Sequence, residues 1–199
     1  MKTAGAKDGK AAMLLLHGRG ADAEDILGVT KYFDSEEISY FAPDAPSHAW
    51  YPNSFLLPVE KNEPKLTESL KTVENCLKEI EKKGIPASRI FILGFSQGAC
   101  LACEYITRNP GKYAGIFALA GGLIGETLGN YSGDLQGTRV FLGCAENDPY
   151  IPKKRVEESA KILEKLNAQV IKKIYPGDAH TINDDEIETI NTIIKKTIS

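Results

Sequence analysis

The chain has 199 residues, 42% hydrophobic and 26% charged, with a formal net charge of −3. That length suits a single domain, residues 1–199, which buries roughly 70% of its unfolded surface without needing a disulfide or metal staple. The Lys pairs (Lys82–Lys83, Lys153–Lys154, Lys172–Lys173, Lys195–Lys196) are short and scattered, so they read as solvated faces. With no basic stripe for phosphates, a nucleic-acid partner is not expected.

In chain order, the first apolar run is Ala11–Leu16, followed at once by His17 and Gly18. It is too short for a signal peptide or a membrane span, so no membrane insertion is expected. Ala12–Leu16 reads as a buried strand, and a helix is expected near Ala23–Phe33. Ile38–Ala42 is the next strand. An irregular stretch, Pro43–Pro64, then carries five prolines and the sole tryptophan. Its Trp50, Tyr51, Phe55, Leu56 and Leu57 look exposed. Loops of that length in a compact domain are often functional, so the stretch reads either as a surface loop packed on the core or, preferred here, as part of a substrate pocket.

The period of Leu66, Leu70, Val73, Leu77 and Ile80 predicts a helix over Lys65–Lys83, stopped by Gly84 and Pro86. Strands follow at Arg89–Phe95, Gly115–Ala120, Val140–Cys144 and Val170–Tyr175, with helices at Gln97–Asn109, Lys153–Asn167 and Asp184–Thr197. Most strands are continuous apolar runs, as suits a parallel sheet buried on both faces. Strands alternating with helices give an α/β fold with right-handed crossovers. The four cysteines (Cys76, Cys100, Cys103, Cys144) match no zinc spacing, and Cys100-x-x-Cys103 falls inside a predicted helix. They read as buried core thiols in a reducing cytoplasm.

Gly94-Phe95-Ser96-Gln97-Gly98 is a G-x-S-x-G motif with a predicted strand before it and a predicted helix after it. That context marks a nucleophile elbow, in which glycines two residues either side let the serine take a strained turn. The helix N-terminus then aims its dipole at a developing oxyanion. A serine hydroxyl needs a base, and the chain offers His17, His48 and His180. On such elbows the order along the chain is serine, acid, histidine, which selects His180. The acid belongs after the strand Val140–Cys144, where Glu146 and Asp148 compete; Asp148, followed by Pro149, is preferred. The N–H groups of Gln97 and of Arg19, in His17-Gly18-Arg19-Gly20, are the expected oxyanion donors, with His17 shaping that loop.

Taken together, "LLLHGRGAD", "FAPDAP", "ILGFSQGA", "LGCAENDPYIP" and "YPGDAHTI" resemble the phospholipase/carboxylesterase family of α/β-hydrolases, which includes the acyl-protein thioesterases. The resemblance runs from Leu14 to Ile182. It implies an α/β-hydrolase fold without a large lid domain, with a mainly parallel central sheet and helices on both faces. It implies Ser96, Asp148 and His180 as catalytic residues, Arg19 and Gln97 as backbone oxyanion donors, and neither metal nor organic cofactor. The expected substrate is a small acyl ester, short or medium in chain, or a thioester. Pocket-wall candidates are Trp50, Tyr51, Phe55, Leu123 and Ile151. Where the thioesterases look like "HGLGD", this chain has "HGRGAD", which sets a cation beside the expected oxyanion site and suggests an anionic or oxygen-rich substrate. A non-catalytic α/β protein of the same fold, or thioesterase or lysophospholipase activity on the same residues, is the alternative. Monomer and homodimer are equally compatible with the sequence.

Overall fold

The computed structural model describes residues 1–198. Its strands are β1 (Lys2–Gly5), β2 (Ala11–Leu16), β3 (Ile38–Ala42), β4 (Ile90–Phe95), β5 (Gly115–Leu119), β6 (Arg139–Ala145) and β7 (Gln169–Tyr175). Its α-helices are α1 (Ala23–Leu27), α2 (Lys65–Lys82), α3 (Gln97–Arg108), α4 (Lys153–Lys165) and α5 (Asp184–Ile198). The sheet order is β1-β3-β2-β4-β5-β6-β7. Among the described residues, only the β1–β3 pair is antiparallel.

The alternation of side chains along each strand divides the core into two layers. Leu14, Leu16, Ile92, Ile116 and Leu142 join the apolar faces of α2, α3 and α4 on one side of the sheet. Met13, Leu15, Phe91, Phe117 and Phe141 join Ala23 and Ile26 of α1 and Ile190, Ile193 and Ile194 of α5 on the other. Both faces of the central strands are therefore covered, which is why their sequences carry so few polar residues.

Several expectations are corrected. Strand β1 was not expected: it is short and largely exposed, and pairs through its backbone with β3. The helix expected over Ala23–Phe33 stops at Leu27 and continues as a 3-10 turn over Gly28–Tyr32. Strand β7 is not buried on both faces, because it lies at the sheet edge with Ile171 exposed.

The stretch from Pro43 to Pro64 is a packed loop, and Trp50, Tyr51 and Phe55 are buried rather than exposed. Polar side chains hold it down. Gln97 accepts the Trp50 N–H (2.9 Å) and donates to the Tyr51 carbonyl (2.8 Å). Ser69 donates to the Trp50 carbonyl at 2.5 Å. Asn62, fully buried, accepts from the Asn53 N–H and donates to the Ser54 carbonyl. No described helix is long and apolar enough to cross a membrane.

Candidate active site

The turn from β4 into α3 carries Ser96 at φ 54°, ψ −117°, a conformation that L residues rarely adopt. Two glycines make it possible. A Cβ on Gly94 would overlap the Gly98 backbone, and one on Gly98 would overlap the Leu16 carbonyl. The Ser96 N–H donates to the Leu119 carbonyl (2.9 Å), tying the turn to β5.

Beyond β6 the chain turns at Asp148, whose Oδ1 accepts the N–H groups of Tyr150 and Ile151, both at 2.9 Å. That leaves Oδ2 for His180, on the loop after β7, whose Nδ1–H donates to it at 2.7 Å. The carboxylate can only accept, so the proton sits on Nδ1 and Nε2 is free to accept from Ser96 Oγ, 2.9 Å away. The Asp148 side chain is fully buried, whereas that of His180 retains 17% exposure. Phe95 and Tyr150 flank the imidazole, with ring centroids 5.0 and 4.9 Å away. Three residues distant in sequence thus meet at the carboxyl ends of β4, β6 and β7, the end of a parallel sheet where ligands bind.

The 17–20 loop runs beside Ser96, and a Cβ on Gly18 would stand 3.5 Å from the Ser96 Cβ. Among the described residues, neither the N–H of Arg19 nor that of Gln97 donates to a protein acceptor. His17 is buried and does not reach the serine. Its Nε2 accepts the Ala45 N–H at 3.0 Å, which puts the proton on Nδ1, 2.7 Å from the Gly18 carbonyl oxygen. His48 likewise bonds the backbone, through Nδ1 to the Ala21 carbonyl.

A cavity of about 720 Å³ opens at Ser96 and His180, with Tyr51, Phe55 and Ile151 among its walls. Trp50 and Leu123 do not line it, which corrects the expectation for both. Trp50 lies behind the wall, its indole N–H donating to the His17 carbonyl at 2.9 Å. Leu123 is fully buried because two charged side chains hold its loop inward. Arg155 donates to the Leu123 and Gly125 carbonyls (2.9 and 2.6 Å), and Glu104 accepts the Ile124 N–H (3.1 Å).

The cavity wall also includes Arg19, Ser54, Phe95, Cys100 and Tyr150. Sequence reasoning missed Ser54, Phe95 and Tyr150 as wall residues; the position of Tyr150 two residues after Asp148 was the available signal. Burial pushes the Cys100 thiol up to about 11, so it is a neutral part of the wall rather than a reactive thiolate. No group of three or more His, Cys, Asp or Glu side chains among the described residues is arranged to hold a metal.

Comparison with known proteins agrees with this architecture. The family model described as Phospholipase/Carboxylesterase matches residues 3–198. The crystal structure of a phospholipase/carboxylesterase from Dyadobacter fermentans superposes with a TM-score of 0.94 at 46% identity, covering 98% of this chain and 95% of that one. Acyl-protein thioesterase 1 of Saccharomyces cerevisiae is 34% identical over 140 residues, 66% of this chain but only 60% of the relative's length. The Debaryomyces hansenii protein of the same name is 28% identical over 222 residues, 96% of this chain and 94% of the relative. The mostly parallel sheet, the two helical layers and the lack of a large lid among the described residues are those of an α/β-hydrolase, and the chain belongs to the phospholipase/carboxylesterase family.

Proposed function

We propose that the chain is a serine carboxylesterase acting on short- to medium-chain acyl esters through an acyl-enzyme on Ser96. The observation that carries this reading is the hydrogen-bonded chain from Ser96 Oγ to His180 Nε2, and from His180 Nδ1 to Asp148 Oδ2. Ser96 Oγ attacks the carbonyl carbon while its proton passes to Nε2. The carbonyl oxygen, now an anion, accepts from the N–H groups of Arg19 and Gln97. The tetrahedral adduct collapses, the C–O bond breaks, and the leaving alcohol takes the proton from His180. Water, losing a proton to the same nitrogen, then attacks the acyl carbon; the acyl C–Oγ bond breaks, His180 returns the proton to Ser96 Oγ, and the acid departs. Asp148 holds the imidazole in the required tautomer and stabilises its cation.

The chemistry is the same with a sulfur leaving group, and the relatives' name supports thioesters as a second substrate class. A cavity of about 720 Å³ without a covering lid favours small substrates over bulk lipid. The buried free thiols fit a reducing cytoplasm. The two core layers share one sheet, which supports reading residues 1–199 as one domain.

The test is hydrolysis of p-nitrophenyl esters from acetate to palmitate, wild type beside Ser96→Ala. The expected result is a fall of about 10⁴ to 10⁶ in kcat for the variant, as nucleophile losses give, with an optimum at a short or medium chain. Full turnover by Ser96→Ala overturns the reading. A non-catalytic protein of this fold would show no turnover by wild type and no labelling of Ser96 by a fluorophosphonate.

A further inference from the structure

We infer that Arg19 makes this site selective for esters that carry a free carboxylate, with its guanidinium taking that group; the inference rests on the esterase reading above. Among the described residues, Arg19 is the one permanently charged side chain on the cavity wall, and no Asp or Glu lines the cavity. Among the described residues no carboxylate pairs with it, although the chain as a whole is acidic.

The guanidinium is also held in place. Nη2 donates to the carbonyl oxygens of Tyr51 (2.7 Å) and Asn53 (3.0 Å), and Nη1 to that of Pro52 (3.1 Å). Those carbonyls belong to the loop that is itself pinned by Gln97 and Asn62. Carbonyl oxygens satisfy N–H groups but do not neutralise a cation. One Nη1–H and the Nε–H are left without a protein acceptor among the described residues. Ser54, on the same wall, accepts the Leu56 N–H at 3.2 Å and keeps its own O–H to donate.

A fixed, unpaired guanidinium beside a neutral, partly apolar wall favours an anion of matching charge. A single cation balances a carboxylate, whereas a phosphate dianion would leave one charge uncompensated. Hydrolysis of such an ester releases either a dicarboxylate and an alcohol, or a carboxylic acid and a carboxylate-bearing alcohol.

Two substrate pairs decide between presence and absence of this selectivity. One is phenyl hydrogen adipate against phenyl hexanoate, with the carboxylate on the acyl side; adipate is chosen over succinate because the latter cyclises unaided. The other is 4-acetoxybenzoate against 4-methylphenyl acetate, with the carboxylate on the leaving group. In at least one pair the wild type is expected to favour the charged ester by about tenfold or more in kcat/KM, the scale of one charge-assisted hydrogen bond. The preference should lie mainly in KM and shrink between about 20 and 500 mM salt as screening grows. Arg19→Met should abolish the preference, and Arg19→Lys should keep part of it.

No preference in either pair, or a preference that survives Arg19→Met, overturns the inference. If Arg19→Met does not fold, the wild-type ratios and their salt dependence decide. Loss of the esterase reading itself looks different: the neutral esters would then be untouched by wild type, or turned over equally by Ser96→Ala.

Discussion

Gly98, at the start of α3, lies directly against the carbonyl group of Leu16, the last residue of β2, with no room between them for a Cβ atom. The three atoms nearest to an added methyl group, the Leu16 carbonyl carbon and oxygen and the His17 carbonyl oxygen, are all backbone, so no side-chain rotation relieves the clash. Gly98→Ala is therefore expected to lower stability by about 3 kcal/mol or more, the upper part of the overpacking range. The shift should also move the 17–20 loop away from Ser96. Urea unfolding and the rate of fluorophosphonate labelling check the two effects, and an unchanged midpoint with unchanged labelling refutes both.

Asp148→Asn tests the tautomer argument. The Asn oxygen can go on accepting the Tyr150 and Ile151 N–H groups, so the turn survives. Its amide nitrogen would then face His180 Nδ1 and force the ring proton onto Nε2, which can no longer accept from Ser96. Ester hydrolysis should fall about 10⁴-fold with little change in melting temperature. A loss of less than tenfold would mean that Asp148 does not orient the base.

Glu186 gives a pH dependence unrelated to the site. The carboxyl group is buried at the start of α5, where it accepts the Asn183 N–H at 2.9 Å and leaves no space for a side chain at Gly143. Burial raises it from 4.5 to about 7, opposed by the Asn183 bond and helped by the Asp185 charge. Between those values the folded chain holds a proton that the unfolded chain has lost, so stability falls as pH rises. The shift corresponds to a loss of about 3 kcal/mol from pH 4.5 to pH 7, level above that. Glu186→Gln keeps an acceptor for Asn183 and removes the charge, so it should be more stable than wild type at pH 8 and not at pH 4.5. Urea midpoints at the two pH values make the comparison; equal differences at both refute it.

The four thiols should be silent in the folded protein. All are buried, and burial is the first cause in each case, raising Cys76 and Cys100 to about 11, Cys144 to about 12 and Cys103 well beyond the usual range. Thiolates are then scarce at pH 8. A disulfide reagent such as DTNB should react with none in native buffer and with all four in guanidinium chloride. Rapid native labelling of Cys100, the one on the cavity wall, would show that the pocket breathes enough to admit the reagent.

The central strands were legible because an apolar run between turn signals has few other fates; β3 falls at Ile38–Ala42 in both sequence and structure. The meeting of Ser96, Asp148 and His180 was legible because each follows a strand of a parallel sheet, and such a sheet delivers all its carboxyl ends to one side. Strand β1 was not, since Lys2–Gly5 has no hydrophobic period; its backbone pairs with β3, and only Ala4 packs on the core while Lys2 meets Glu24 of α1. The aromatic loop residues looked exposed because the loop is pinned onto the core by side-chain bonds from Gln97, Asn62 and Ser69 to its backbone, which sets Trp50, Tyr51 and Phe55 into the apolar layer. Partners of Trp50 that lie 47 and 19 residues away leave no local pattern to read. Leu123 was misplaced for a similar reason, since Arg155 and Glu104 reach its loop from two different helices.

Strand β7 has a neighbour on one side only, and it is the strand whose end carries His180. Ser96 is seated on β4, near the middle of the sheet. Ser96 and His180 therefore belong to regions of unequal local stability. Mild heat or low denaturant that frays the β7 margin would separate His180 from Ser96 while the interior strands stay paired. Inactivation should thus run ahead of global melting and reverse on cooling. The temperature limit of any activity at Ser96 would then be set by the fraying of one peripheral ribbon rather than by the endurance of the core.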